Sequence, residues 1–177
     1  MMERRMPQQV VIAQGDTISH PYVVATQPSQ WRQLVNIALA DLNLPGGSAR
    51  RHHRVSLHVQ GPGYRIGEPV LVRRWMEFGY SAGYGGALFV DETTAEGMDW
   101  AWLARSPKPA DNDRPVVYYD RASETKFPPS TVMPVDELRS IALEWVGTGR
   151  RPNSVGWLPV NSFRWSLDGA ADLVQPD

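Results

Sequence analysis

Four histidines are the first side chains in this sequence that suggest chemistry. His52, His53 and His58 lie within seven residues of one another, and His20 stands apart from them. Imidazoles at short spacing invite a metal-site interpretation. The apolar pattern around them predicts a strand, however, and on a strand His52 and His58 share a face about 20 Å apart, too far to bind one ion. We therefore expect no metal site here.

Two acidic pairs are the next possibility, Asp91 with Glu92 and Asp111 with Asp113. Neighbouring carboxylates can exchange protons in catalysis or hold Mg²⁺. No convergent catalytic group accompanies either pair in the sequence. We interpret both as solvated loop acids.

Residues 79–86 form a glycine-rich cluster that resembles a phosphate-binding loop in composition only. A nucleotide loop needs a helix directly after it, so that amide groups and the helix dipole meet the phosphate. An apolar strand pattern follows here instead, and no Gly-Lys-Ser/Thr is present. The cluster predicts a tight hairpin or irregular loop. Its tyrosines, Tyr80 and Tyr84, would then offer contact area to a partner.

The absence of cysteine from all 177 residues removes many further options. It excludes disulfides, thiolate nucleophiles, Cys-ligated zinc and iron-sulfur clusters. No His-Glu-x-x-His, EF-hand loop or Gly-x-Ser-x-Gly elbow occurs either. We therefore expect no catalytic residue and no cofactor. A small enzyme with a composite site of carboxylates and histidines remains the alternative, and a pocket where two or more of these groups converge would distinguish it.

Tryptophan is abundant, with seven residues in the chain. Trp31 and Trp145 fall on apolar helical stripes, and Trp100 and Trp102 share one face of a predicted strand. We expect each of them to pack in the core. An exposed tryptophan beside acidic residues would instead indicate an interface anchor.

Two stretches that would position these residues have helical periodicity. Residues 28–42 carry apolar side chains at three- and four-residue intervals, with Thr26 or Ser29 as the N-terminal cap and a Gly-Pro-rich stop at residues 43–47. Residues 135–146 repeat the pattern, with acidic residues in the first turn and Gly147 or Gly149 to end the helix. Both stretches predict amphipathic helices.

Between the two helices the apolar pattern has a period of two. The predicted strands cover residues 55–59, 70–75, 87–91, 99–103 and 116–120, with two further strands at residues 22–26 and 155–158. The intervening loops are too short for crossover helices, so the strands should form a mostly antiparallel, meander-like sheet. The predicted fold class is α+β.

Domain organisation and location follow from length and hydropathy. We expect one α+β domain over residues 21–166, with frayed segments at residues 1–20 and 167–177. No apolar run is long enough for a signal peptide or a membrane span. The expected location is the cytoplasm, with no membrane partner.

The near-neutral net charge conceals a strong asymmetry. Residues 1–65 carry seven basic and three acidic side chains, residues 66–149 carry eight basic and thirteen acidic ones, and the remainder balances at three each. The total of −1 therefore combines +4 with −5. An acidic zone of this kind is either a set of solvated loops or a patch that docks a basic partner.

Residues 86–157 carry an ordered succession of short motifs. An apolar strand ending at Asp91 is followed by an acidic loop, a second strand at residues 116–120, and the helix at residues 135–146. After the helix come Thr148-Gly149-Arg150-Arg151-Pro152 and Val155-Gly156-Trp157. This succession resembles the Imm1 family of bacterial immunity proteins. We assign the turn at residues 148–152 to folding, because Gly and Pro set backbone geometry there.

The resemblance implies a role in polymorphic toxin systems. Family members of this kind are inhibitors that protect the producing cell from a secreted toxin domain, often a nucleic-acid deaminase. An acidic patch can occupy the basic substrate groove of such a toxin. The partner expected from the resemblance is a basic toxin domain, contacted through a set of acidic and aromatic residues. That set is Asp91, Glu92, Glu96, Asp99, Asp111, Asp113, Glu124, Tyr80 and Tyr84.

A third interpretation is a nucleic-acid-binding module that uses a basic cluster. Arg50, Arg51 and Arg54 lie beside two histidines and form this cluster. The net charge of −1 argues against it. Salt-sensitive retention on DNA or RNA would support it.

Overall fold

The structure is a computed structural model of the whole chain. It describes residues 9–15, 22–40, 53–61, 73–81, 83–94, 100–108, 114–120, 125–165 and 171–173. Within these residues the chain forms two α-helices, α1 (Pro28–Ala38) and α2 (Val135–Thr148). The same residues include three short 3-10 helices, at Glu92–Thr94, Pro129–Thr131 and Val160–Ser162.

The strands that the structure describes are β1 (Val10–Gly15), β2 (Val23–Ala25), β3 (His53–Gln60), β4 (Arg74–Ser81), β5 (Tyr84–Asp91), β6 (Ala101–Arg105), β7 (Tyr118–Asp120), β8 (Thr125–Lys126), β9 (Met133–Pro134), β10 (Gly156–Pro159), β11 (Phe163–Trp165) and β12 (Ala171–Leu173). Eight of them form one sheet in the order β10-β6-β5-β4-β3-β1-β2, with β9 paired to β5. Every pairing within the described strands is antiparallel. The predicted α+β class with a mostly antiparallel, meander-like sheet is confirmed.

The helix α1 begins at the predicted position but is capped differently. The side chain of Gln30 accepts hydrogen bonds from the backbone N–H groups of Thr26 (3.0 Å) and Gln27 (3.2 Å). Gln27 completes a reciprocal capping box, so neither Thr26 nor Ser29 is the cap. The helix ends at Ala38, before the predicted end at residue 42. The predicted stop at residues 43–47 lies outside the described residues.

The helix α2 begins at the predicted residue and ends two residues after the predicted end at residue 146. Asp136 and Glu137 lie in its first turn, where carboxylates favour the positive end of the helix dipole. Gly149 ends it in the left-handed conformation with φ of 62°, and its N–H donates to the carbonyl of Trp145 at 2.7 Å. Of the two glycines predicted to end the helix, the second does so.

Both helices pack on one face of the large sheet. Their buried side chains meet alternate residues of the central strands, including Leu57, Met76 and Phe89. The two helices are also joined directly, because Arg139 of α2 donates to the carbonyl of Leu39, just after α1, at 2.9 Å. That bond satisfies a carbonyl that the end of α1 would leave without a partner.

A second apolar cluster covers part of the opposite face. Leu88, Val90 and Leu103 on the sheet contact Phe127 and Val132 from the segment that carries β7 and β8. The central strands β5 and β6 are therefore buried on both faces. This explains why β5 is buried almost throughout and lacks a clean polar alternation.

Three predictions about strands were wrong in part. Residues 1–20 were expected to fray, yet Val10–Gly15 forms β1, a buried strand between β2 and β3. The strand predicted at residues 70–75 begins at Arg74 and continues through the glycine-rich cluster to Ser81. The tail predicted to fray contains Ala171–Leu173, which pairs with β11.

Candidate functional site

The predicted contact residues divide into two groups. Tyr80, Tyr84, Asp91 and Glu92 lie on β4, β5 and the turn that follows β5. The other five lie outside the described residues, and they are Glu96, Asp99, Asp111, Asp113 and Glu124.

Asp91 ends β5 in a network that fixes its carboxylate. Its Oδ2 lies 2.9 Å from Nε of Arg74, and its Oδ1 accepts hydrogen bonds from the hydroxyl and the backbone N–H of Thr93. Arg74 in turn donates to the Thr93 hydroxyl at 2.9 Å. Burial alone would raise the pKa of Asp91, but the hydrogen bonds from Thr93 and the charge of Arg74 hold it below its ordinary value. Asp91 is therefore an organising residue with little exposed surface.

Glu92 follows directly and is exposed. Its backbone N–H donates to the carbonyl of Arg73 at 2.7 Å, which closes the turn against the start of β4. No ion pair of Glu92 occurs within the part of the chain that the structure describes. The residue therefore lies exposed at the end of the sheet.

Trp100 lies next to Asp91 at the same end of the sheet. The register pairs Phe89 with Trp102 and Val90 with Ala101, and the N–H of Asp91 donates to the carbonyl of Trp100 at 2.8 Å. Although its backbone is held, the Trp100 residue is 44% exposed. The expectation that this tryptophan packs in the core is wrong.

An exposed aromatic and charged surface therefore occupies the end of β4, β5 and β6. We call it the Trp100 surface, and its exposed members are Arg73, Arg74, Glu92, Thr93 and Trp100. Arg74 lies opposite Asp91 in the sheet register. The register and the ion pair thus bring together the ends of three consecutive strands.

The two tyrosines differ in availability. Tyr80 is 3% exposed, and its hydroxyl donates to the carbonyl of Ala38 at 3.0 Å, which ties β4 to the end of α1. Its proposed role as a surface contact is therefore wrong, because the residue faces the helix layer. Tyr84 is half-buried and packs against the second apolar cluster. Part of its ring remains accessible.

The glycine-rich cluster is a hairpin whose glycines accommodate close neighbours. Gly79 and Gly86 lie opposite one another on β4 and β5, and a Cβ on either would overlap the ring of Phe127. A Cβ on Gly85 would lie 2.6 Å from Cδ1 of Leu138 in α2. The glycines thus let both covering layers approach the sheet backbone, a need that composition alone does not reveal.

His58 is the described histidine whose surroundings are best defined. It lies on β3 at 8% exposure, and its Nε2 lies 3.2 Å from Oγ of Ser56, while Nδ1 is buried without a hydrogen-bond partner. Burial lowers its pKa from 6.5 to about 4, so the ring is neutral at physiological pH. Within the described ranges, no three His, Asp or Glu side chains are placed to share a metal ion. His20 and His52 lie outside those ranges.

The turn after α2 is held by side-chain hydrogen bonds to its backbone. Glu144 accepts from the N–H groups of Asn153 (2.7 Å) and Ser154 (3.3 Å). Burial would raise the pKa of Glu144, but hydrogen bonds from Ser154 and Asn153 hold it below its ordinary value. The indole N–H of Trp157 donates to the carbonyl of the buried Pro152 at 2.7 Å. This geometry supports the assignment of the turn to folding.

Contacts between aromatic rings hold the strand β10, which follows this turn and contains Trp157. Phe89 lies at the centre, with ring centroids 5.3 Å from Trp145, 5.9 Å from Trp102 and 6.0 Å from Trp157. Arg151 stacks over Trp102 with its guanidinium carbon 4.4 Å from the ring centroid. The turn at residues 148–152 thereby brings β10 and its tryptophan onto the cluster formed by α2, β5 and β6.

The architecture and these contacts define an α+β protein in which one antiparallel sheet carries both helices on one face. The family model for immunity protein Imm1 matches residues 25–159, which is more than half of the chain. The chain therefore belongs to the Imm1 family of immunity proteins. The resemblance at residues 86–157 is confirmed, and the match also includes α1, which the resemblance had omitted. A search of curated proteins found no match.

A toxin is the partner that membership of an immunity-protein family implies. The described helices include none that is both long and apolar enough to cross a membrane.

Proposed function

We propose that this chain is the cytoplasmic immunity protein of a polymorphic toxin system, and that it neutralises its cognate toxin by stoichiometric binding. The proposed toxin acts on nucleic acid, with a deaminase as the first candidate. The observation that carries the proposal is the family match over residues 25–159, because it spans both helices and most of the large sheet.

The proposed contact is electrostatic. Residues 66–149 carry a net charge of −5, and a toxin that binds nucleic acid presents a basic groove for its substrate. Carboxylates placed against that groove would exclude the phosphates and speed the encounter. The proposed docking residues are Glu92, Glu96, Asp99, Asp111, Asp113 and Glu124, with Tyr84 as an aromatic contact and Asp91 as the residue that fixes the turn beside Glu92.

The proposal includes no catalytic step by this chain. Two side chains of catalytic type are buried in the structure. His58 is a buried neutral ring on β3, and the Asp91 carboxylate is held by Arg74 and Thr93.

Co-expression with the toxin tests the proposal. The probe is the C-terminal domain encoded by the gene immediately upstream of the gene for this chain. We expect induction of that domain alone to kill cells, co-expression of this chain to restore growth, and the purified pair to form a 1:1 complex without turnover of either protein. A toxic domain that this chain neither binds nor neutralises would contradict the proposal.

Reversing four acids tests the electrostatic part separately. We expect a variant with Glu92, Glu96, Asp111 and Asp113 all replaced by Lys to lose at least about tenfold in affinity at physiological salt. The matched control exchanges the same four acids conservatively, Asp for Glu and Glu for Asp, which keeps every charge and should keep inhibition. Unchanged inhibition by the reversed variant would show that electrostatic docking is wrong.

A further inference from the structure

Among the tryptophans whose side-chain burial the structure describes, Trp100 has the largest exposed fraction. Trp31, Trp75, Trp102 and Trp157 are half-buried, and Trp145 is buried. A large apolar ring left 44% exposed forgoes the stabilisation that burial would bring. Trp102, two residues further along the chain, packs against the ring of Phe89, whereas Trp100 remains largely exposed.

The surroundings of Trp100 are rigid. Its carbonyl accepts from the N–H of Asp91, and Asp91 is fixed by Arg74 and Thr93 through both carboxylate oxygens. A ring presented from a fixed backbone loses little entropy when a partner covers it. Interface hot spots combine such an anchor with a polar rim, and tryptophan is among the residues most enriched in them.

Charged groups supply that rim. Glu92 is exposed on one side, and Arg73 and Arg74 are exposed at the start of the neighbouring strand. Arg74 already pairs with Asp91, so Glu92 is the carboxylate best placed to receive a cation from a partner. The complementary surface is an apolar pocket for the indole, with a lysine or arginine facing Glu92 and a hydrogen-bond acceptor facing Arg73.

We infer that Trp100 is the apolar anchor with which this chain holds its toxin, inserted into a pocket of the toxin domain that has a basic group at its rim to meet Glu92. This inference rests on the proposed function and adds the contact that limits dissociation. A second copy of this chain is the competing occupant. The toxin is favoured because family membership implies a toxin partner and because Glu92 would complement a basic surface.

Affinity measurements test the inference with the inactivated upstream-encoded toxin domain as the probe. Trp100→Ala should raise the dissociation constant about 30-fold or more, mainly through faster dissociation. The matched control is Tyr22→Ala, because Tyr22 is 39% exposed and precedes β2 at the far edge of the sheet. It should change the affinity by less than about threefold.

A second measurement uses the unaltered protein, so that it does not depend on how a variant folds. Oxidative footprinting should show the Trp100 indole labelled in the free chain and protected in the complex. Wild-type binding with no loss in Trp100→Ala, or with Trp100 still labelled, would overturn this inference and leave the proposed function standing. A wild-type chain that fails to bind the toxin domain would overturn both. Protection by self-association, with toxin affinity unchanged in Trp100→Ala, would assign the surface to a second copy and overturn the inference.

Discussion

His58 shows how one buried ring couples the stability of this protein to pH. The unfolded chain binds a proton at this ring near pH 6.5, whereas the folded chain binds it only near pH 4. Between these values the unfolded state holds more protons, so stability falls as the pH is lowered through that window. The stabilisation is fully present above pH 6.5 and is lost by about pH 4. Each tenfold change in proton affinity is worth about 1.4 kcal/mol, so the loss is about 3 kcal/mol.

We therefore predict that the free energy of unfolding of His58→Gln falls less than that of the wild type as the pH is lowered from 6.5 to about 4. Gln can still contact Ser56, but it carries no titrating group. Urea unfolding at pH 8 gives the baseline cost of the substitution, and the same measurement at pH 4.5 gives the pH dependence. The wild type should lose about 2 to 3 kcal/mol more than the variant between the two. Parallel profiles would show that His58 is not responsible.

Trp100 shows where prediction from sequence fails at the level of a residue. Alternation predicts Trp100 and Trp102 on one face of a strand, but β6 begins at Ala101, so Trp100 precedes the strand. Alternation also does not reveal where the layer covering that face ends. Trp102 is covered by Phe89 and Arg151, and Trp100 is exposed one step further along. The prediction for Tyr80 was wrong in the other direction. The glycine-rich sequence around it suggested an exposed ring, but the end of α1 covers it.

The β4–β5 hairpin depends on its glycines because two layers approach it at once. Gly86 lies beneath the ring of Phe127, which also makes an edge contact with Tyr119 at 5.7 Å between centroids. We predict that Gly86→Ala costs about 2 kcal/mol of unfolding free energy, because the new methyl group overlaps that ring and Phe127 must shift.

Gly147→Ala is the matched control for that substitution. A Cβ on Gly147 meets nothing within 4 Å, and alanine favours the helix by up to about 1 kcal/mol. Chemical unfolding should therefore rank the three proteins with Gly147→Ala at or above the wild type and Gly86→Ala well below it. Equal stability of Gly86→Ala and the wild type would mean that Phe127 does not pack against the hairpin.

The two helices could be predicted from the sequence because each has one covered side. The helices α1 and α2 each bury one stripe, so their period of 3.6 is visible in the sequence. The strand β1 is different, because Val10, Val11, Ile12 and Ala13 are all buried and a short uniform apolar run has no period to detect. The need for glycine at positions 79 and 86 could not be predicted from the local sequence either, because it arises from the ring of Phe127, about 40 residues further along the chain.

The arrangement of layers decides where a partner can bind. The helices cover one face of the sheet, and the segment around Phe127 covers part of the other. Within the described structure, the end of β4, β5 and β6 is a place where charged and aromatic side chains reach solvent together. Glu92 lies at this end of the sheet, and the other proposed docking acids follow it in the sequence. For this reason we propose the Trp100 surface as the centre of the toxin interface.

Charge distribution over the whole molecule leads to a kinetic prediction. Most of the negative charge lies in residues 66–149, at −5, whereas residues 1–65 carry +4. A molecule with this polarity should be steered toward a basic partner at long range, and salt weakens such steering because the Debye length falls from about 30 Å at 0.01 M to about 3 Å at 1 M. We therefore predict that the association rate with the toxin domain falls at least about tenfold between 0.01 M and 0.5 M salt.

Dissociation should respond differently, because the Trp100 anchor is apolar and salt does not weaken its burial. Stopped-flow association and surface-based dissociation measured on the same pair separate the two rates. The variant with four acids reversed should associate slowly at every salt concentration, and Trp100→Ala should keep the wild-type salt dependence while dissociating faster. An association rate that is independent of salt, in a pair that still binds tightly, would remove long-range electrostatics from the mechanism and leave the apolar anchor to account for the affinity.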